Sequence, residues 1–144
     1  MTAALMARTW SVLVPHHASG ARLARHKLAK TLADRIRPGF LADVMTVVAE
    51  LVGNAVRHAR PLPDGMIRIT CQLIAGRGRD SSMVRIRVTD GGSNDSPQLR
   101  SATPESLSGR GLAMVAALAK RWGVEVLGTG RCVWAELCGP GTGR

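Results

Sequence analysis

Ile67-Arg68-Ile69-Thr70-Cys71-Gln72-Leu73 alternates apolar with polar residues, and Val84-Arg85-Ile86-Arg87-Val88-Thr89 repeats the alternation further on. A period of two sends successive side chains to opposite faces of a strand. Between the runs lies a Gly-rich turn, Gly76-Arg77-Gly78-Arg79-Asp80, so the pair reads as a hairpin. Strands that alternate, rather than run wholly apolar, belong to a sheet with one covered face. Arg68, Arg85 and Arg87 then point to the open face, which either binds a partner or is simply solvated. Asp90, followed by Gly91-Gly92, falls where the second strand ends.

On the N-terminal side, Val12 to Val14 reads as a short strand closed by Pro15. Ser19 is a candidate N-cap for a helix reaching about Arg35, with Leu23, Leu28, Leu32 and Ile36 as its apolar stripe. Arg37-Pro38-Gly39 breaks the pattern. A second helix is expected from Phe40 to Ala59, with Val44, Val47, Val48, Leu51, Val52 and Ala55 on its apolar face. On the C-terminal side, residues 93–108 are polar and aperiodic, with Pro97 and Pro104. A third helix starts after Gly111 and runs to about Trp122. Val124 to Leu127 and Arg131 to Leu137 close the chain as strands turned by Gly128-Thr129-Gly130. The predicted order is β-α-α-β-β-loop-α-β-β. It makes an α+β, two-layer α/β sandwich, with a mixed sheet and the helices on one face. Residues 1–9 are expected to be a flexible N-terminus, 10–138 one domain, and 139–144 a disordered tail.

Composition bounds the function. A chain of 144 residues suits one domain. No apolar run approaches the ~20 residues of a membrane helix, and Met1 to Trp10 has no signal pattern, so the expected address is cytoplasmic. Cys71, Cys132 and Cys138 are odd in number and form no CxxC, which argues against a disulfide framework or zinc. Cys71 lies in an apolar alternation and reads as a packing residue. The net charge of +10, with Lys27, Lys30 and Lys120 the only lysines among 20 bases, favours an anionic ligand, an acidic partner or nucleic acid. It does not choose among them, and arginine preference can also come from genomic base composition. Aromatic content is 3%, with no Tyr and one Phe, so the stacking platform of single-strand binders is missing.

Three short motifs remain. Glu50 and Asn54 are four apart in Glu50-Leu51-Val52-Gly53-Asn54 and share a helix face. A carboxylate and an amide beside an apolar stripe need partners, unless they are merely a solvated helix edge. Asp90-Gly91-Gly92 is either a tight Asp-Gly turn or a carboxylate acceptor with room for a flat ligand. Gly109-Arg110-Gly111-Leu112 opens a helix after the long loop. It is either a flexible start or a place where free backbone N–H groups meet phosphate. There is no GxxxxGK[ST]. The dinucleotide GxGxxG is excluded because Met114 stands at its third glycine and a loop precedes it.

Together, in this order, the motifs resemble the nucleotide site of the GHKL ATPase superfamily, the gyrase B, histidine-kinase and MutL class, over roughly residues 10–138. The string Glu50 to Ala59 (Glu-Leu-Val-Gly-Asn-Ala-Val-Arg-His-Ala), Gly-Arg-Gly-Leu, and Val133-Trp134-Ala135-Glu136-Leu137 look especially like stand-alone anti-sigma-factor serine/threonine kinases. The resemblance implies a Bergerat-type ATP-binding fold with ATP and Mg²⁺ as cofactors. It implies that Glu50 orients or deprotonates the attacking hydroxyl or water, and that Asn54 ligates Mg²⁺ through oxygen. Asp90 would hold the adenine amino group, with Gly92 beneath the ring. Gly109, Gly111 and the adjoining Arg110 and Leu112 would form the phosphate loop. His58, one turn past Asn54, either reaches the phosphates or is a dipole-favoured helix end. Arg100 and Arg110 are candidates for the γ-phosphate charge. Where the family often has a hydroxyl near the adenine-binding Asp, the nearest position here is Cys132, a poorer hydrogen-bond partner.

The leading expectation is an ATP-binding, transcription-regulating kinase that phosphorylates a Ser or Thr of an antagonist protein, with a sigma factor or anti-sigma antagonist as partner. The alternatives are a weak or inactive ATP-binding module that sequesters a partner, and a basic nucleic-acid-binding protein. Homodimerisation is expected from related kinases that pair, although an Arg-rich open face disfavours direct face-to-face contact.

Overall fold

The computed structural model describes residues 6–76, 82–92 and 110–141. The elements are β1 (Met6–Pro15), α1 (Ser19–Leu32), α2 (Pro38–His58), β2 (Met66–Ala75), β3 (Ser82–Asp90), α3 (Arg110–Leu118), β4 (Arg121–Leu127) and β5 (Gly130–Gly139). The expected order is met, and the architecture is a two-layer α+β sandwich with the helices on one face.

The sheet, ordered β1-β2-β3-β5-β4, is antiparallel at every pairing rather than mixed. Two helices between β1 and β2 bring the chain back so that the strands oppose. β3 and β4, between which α3 is the described helix, do run parallel, but β5 is inserted between them. The β4–β5 turn is two residues long, with Gly128 at φ 63°, the left-handed conformation that such hairpin turns demand at their first position.

Alternation puts Ile67, Ile69, Cys71, Val84, Ile86 and Val88 into the core and Arg68, Arg85 and Arg87 onto the other face. Cys71 is fully buried, which pushes its thiol up to about 12 and fits its packing role. Above them lies α2, whose Val44, Val47, Val48, Leu51, Val52 and Ala55 recur at helical spacing and are buried. Each buried Val or Leu contributes about 1.5–3 kcal/mol of transfer free energy. By length and composition α2 is apolar enough to cross a membrane, contrary to the expectation above. Its apolar stripe is covered by sheet and helices, however, while Asp43 and Arg57 face outward, the pattern of a core helix.

Several boundaries differ from the expectation. β1 starts at Met6, inside the supposed flexible segment, because it pairs with β2 along its whole length. Pro38 does not break α2 but begins it, at the one helical position where a missing N–H is harmless. The N-cap of α1 is Ala18, without a side-chain cap; Ser19 is already helical, and its N–H donates to His17 Nδ1 at 3.2 Å. The buried stripe of α1 is Gly20, Ala24, Leu28 and Leu32, and Leu23 is exposed. Trp122 belongs to β4, not α3. The supposed tail is ordered up to Gly141, which bridges Ile36 while Pro140 accepts the Arg37 N–H at 3.2 Å.

On the open face the arginines are largely paired. Glu136 accepts from Arg85 at 2.8 Å and from Arg121 at 2.7 Å, and Arg87 meets Glu125 at 2.9 Å.

Candidate functional site

The C-terminal end of α2 and the end of β3 are stitched together. Arg60 N–H donates to Gly92 O at 2.8 Å, and Gly91 N–H returns to Arg60 O at 2.7 Å. His16, just after β1, adds a third strand to the stitch: its Nε2 donates to the carbonyls of Ala55 at 3.2 Å and Ala59 at 2.8 Å. Both partners are acceptors, so Nε2 carries the proton. The bond to Ala59 satisfies a carbonyl at the helix end, while Ala55 O also accepts the Ala59 N–H at 3.1 Å. The result is that the C-terminal end of α2 is held against the Asp90-Gly91-Gly92 turn, with His58 on its last turn and Asn54 and Glu50 one and two turns further back.

Gly91 is required there, because a Cβ would run into the Pro61 carbonyl. Gly92 has φ 97°, and a Cβ on it would strike the Thr129 carbonyl of the β4–β5 turn. Both glycines are thus explained by the close approach of three backbones. The free space they leave is filled by protein, so Gly92 packs against the turn before any ligand is considered.

Asn54 is wholly buried, yet among the described residues neither Oδ1 nor Nδ2 has a hydrogen-bond partner. A buried amide without partners costs about 1–3 kcal/mol. Such a cost is tolerated where a ligand supplies the partner, and a side-chain oxygen held in place is what a hard divalent cation takes. Glu50, one turn earlier, is half-buried and makes no hydrogen bond or ion pair among the described residues. His58 is exposed at the end of the same helix.

Asp90 is fully buried and is not alone. Arg131, directly across the β3–β5 pairing, donates to Oδ2 from Nε at 3.1 Å and from Nη2 at 3.0 Å. Gly92 N–H donates to Oδ1 at 2.7 Å, an Asx-type turn. Burial pushes the Asp90 carboxyl above its ordinary range, and Arg131 and the Gly92 N–H pull back toward the ionised form. The pairing corrects the expectation about Cys132. Register places Cys132 opposite Thr89, on the same sheet face as Arg87 and buried; the residue opposite the carboxylate is Arg131.

Of the third motif, α3 begins at Arg110 rather than after Gly111, and Leu112 and Val115 are buried against the core, which makes Leu112 an anchor for the helix. Gly109, Arg100 and the loop of residues 93–108 lie outside the described residues, as do the side chain of Arg110 and the surroundings of Gly111. Glu50 and Asn54 thus lie on the last turns of the helix whose end is tied to the Asp90-Gly91-Gly92 turn.

Arg131 and His16 were not among the expected site residues. For Arg131 a signal existed: it shares strand parity with Val133, Ala135 and Leu137, and an arginine on an apolar face needs an acidic partner. No comparable pattern marks His16.

A family model described as a histidine kinase-like ATPase domain matches residues 14–137. A search of curated proteins finds no match.

Proposed function

The chain belongs to the histidine kinase-like ATPase domain family, whose site binds ATP, and from that premise we propose that it is a regulatory protein kinase of the anti-sigma-factor type. It would act on a Ser or Thr hydroxyl of an antagonist protein. The observation that carries the reading is Asn54, buried without hydrogen-bond partners among the described residues, one turn beyond Glu50. Asn54 Oδ1 would hold Mg²⁺, which when bound with the triphosphate neutralises phosphate charge. Asp90 would accept from the adenine amino group. Glu50 would take the proton of the acceptor hydroxyl as its oxygen bonds to the γ-phosphorus and the bond to the β,γ-bridging oxygen breaks, releasing ADP. Gly109 and Gly111 would line the phosphates.

Labelling with γ-phosphate-labelled ATP tests this. The wild-type chain should label a Ser or Thr on a partner protein. Glu50→Ala should abolish labelling while keeping ATP affinity within about threefold. Labelling that survives the change would remove Glu50 from the mechanism.

A second reading is a module that binds ATP and sequesters a partner without transfer. It is favoured by the Asp90–Arg131 pair, which ties up much of the carboxylate's hydrogen-bonding capacity. ATP binding by a wild-type chain that labels no acceptor would select it.

A further inference from the structure

Arg131 reaches the base-contacting carboxylate from β5, yet the mechanism above gives it no task. An ionised carboxylate offers about four lone-pair sites. Nε and Nη2 of Arg131 both end on Oδ2, at 3.1 and 3.0 Å, and Gly92 N–H occupies one site on Oδ1 at 2.7 Å. Oδ2 is thereby saturated, and the acceptor site left over belongs to Oδ1. The two side chains are 2% and 0% exposed, so water does not compete for this arrangement.

We propose that Arg131 sets the base preference of the pocket: by saturating Oδ2 it makes Asp90 a one-acceptor group that fits the amino group of a 6-aminopurine and turns guanine away. Guanine presents its N1–H and 2-amino donors side by side, and a carboxylate takes both only by using both oxygens. A 6-aminopurine asks for one. Loss of Arg131 would free Oδ2 for the second donor. It would also remove the largest opposition to burial, leaving the Gly92 N–H as the remaining hydrogen bond to the carboxylate and favouring the protonated acid, which donates to a 6-oxo group. Both consequences move the pocket toward 6-oxopurines. The inference rests on the reading of Asp90 as the residue that contacts the base.

The test is a titration of wild type, Arg131→Met and Arg131→Lys with ATP and with GTP, each protein checked by thermal unfolding. The wild type should prefer ATP. In Arg131→Met the ATP-to-GTP affinity ratio should fall by roughly tenfold or more, a change that a merely structural role would not produce. If Arg131→Met does not fold, Arg131→Lys decides. It keeps the charge but delivers one N–H to Oδ2, and the ratio should fall by roughly threefold. An unchanged ratio in the folded variant overturns the inference alone. A wild type that binds neither nucleotide overturns the base-contact reading and this inference with it.

Discussion

Asn54 has no hydrogen-bond partner for either side-chain polar atom among the described residues, although it is buried. Such a residue is a measurable exchange of stability for function. Asn54→Leu should stabilise the nucleotide-free chain by about 1–3 kcal/mol, because an unpaired buried amide is replaced by an apolar group of similar volume. The same change should remove the Mg²⁺ dependence of nucleotide binding. Chemical denaturation checks the first expectation, and a destabilised Asn54→Leu would mean that the amide already has a structural task. At Asp90 the balance differs. Its pairing with Arg131 is buried on both sides, so removing either partner strands a charge, and stability and binding fall together.

At the level of elements, the site depends on how the α2 end is tied to the end of β3. Gly91→Ala forces a Cβ onto the Pro61 carbonyl and should cost about 2–3 kcal/mol in denaturation. Gly39→Ala, on the first turn of α2 with nothing within 4 Å, should instead stabilise by up to about 1 kcal/mol. Equal effects at the two glycines would sink this account of the stitch. The elements themselves were legible, because the two-residue and 3.6-residue periods are explicit in β2, β3 and α2. Their ends were not. Leu118-Ala119-Lys120-Arg121-Trp122 continues a helical pattern, but Lys120 N–H bonds to Glu136 O at 2.7 Å and sheet pairing takes over. Within the candidate site, Glu50, Asn54 and Asp90 are picked out by the order of the three motifs together, since each motif alone also reads as a helix edge or a tight turn. Arg131 could be found only by knowing which residue of β5 faces Asp90, and that is a property of the sheet.

Over the whole molecule, the +10 charge is less bare than composition suggests, since the open face binds its own arginines through Glu136 and Glu125. Burial opposes ionisation of Glu136, but hydrogen bonds from Arg121 and Arg85 prevail and hold its carboxyl below the ordinary value. A lowered carboxylate adds stability that is fully present above its unfolded value of ~4.3 and is lost as pH falls through the lower folded value. Glu136→Gln should therefore cost about 1–2 kcal/mol at neutral pH, and the gap to wild type should close in acid; a gap independent of pH would contradict the network's role. The central claim is that the end of α2 and the end of β3 form one Mg²⁺-dependent ATP site. Its most direct test is calorimetric titration of wild type and Asn54→Leu with ATP, with and without Mg²⁺. The account predicts Mg²⁺-dependent binding by the wild type and loss of that dependence in a folded Asn54→Leu. Absence of wild-type binding at about millimolar ATP, near the weak limit of specific affinities, or binding indifferent to both Mg²⁺ and Asn54, would contradict it.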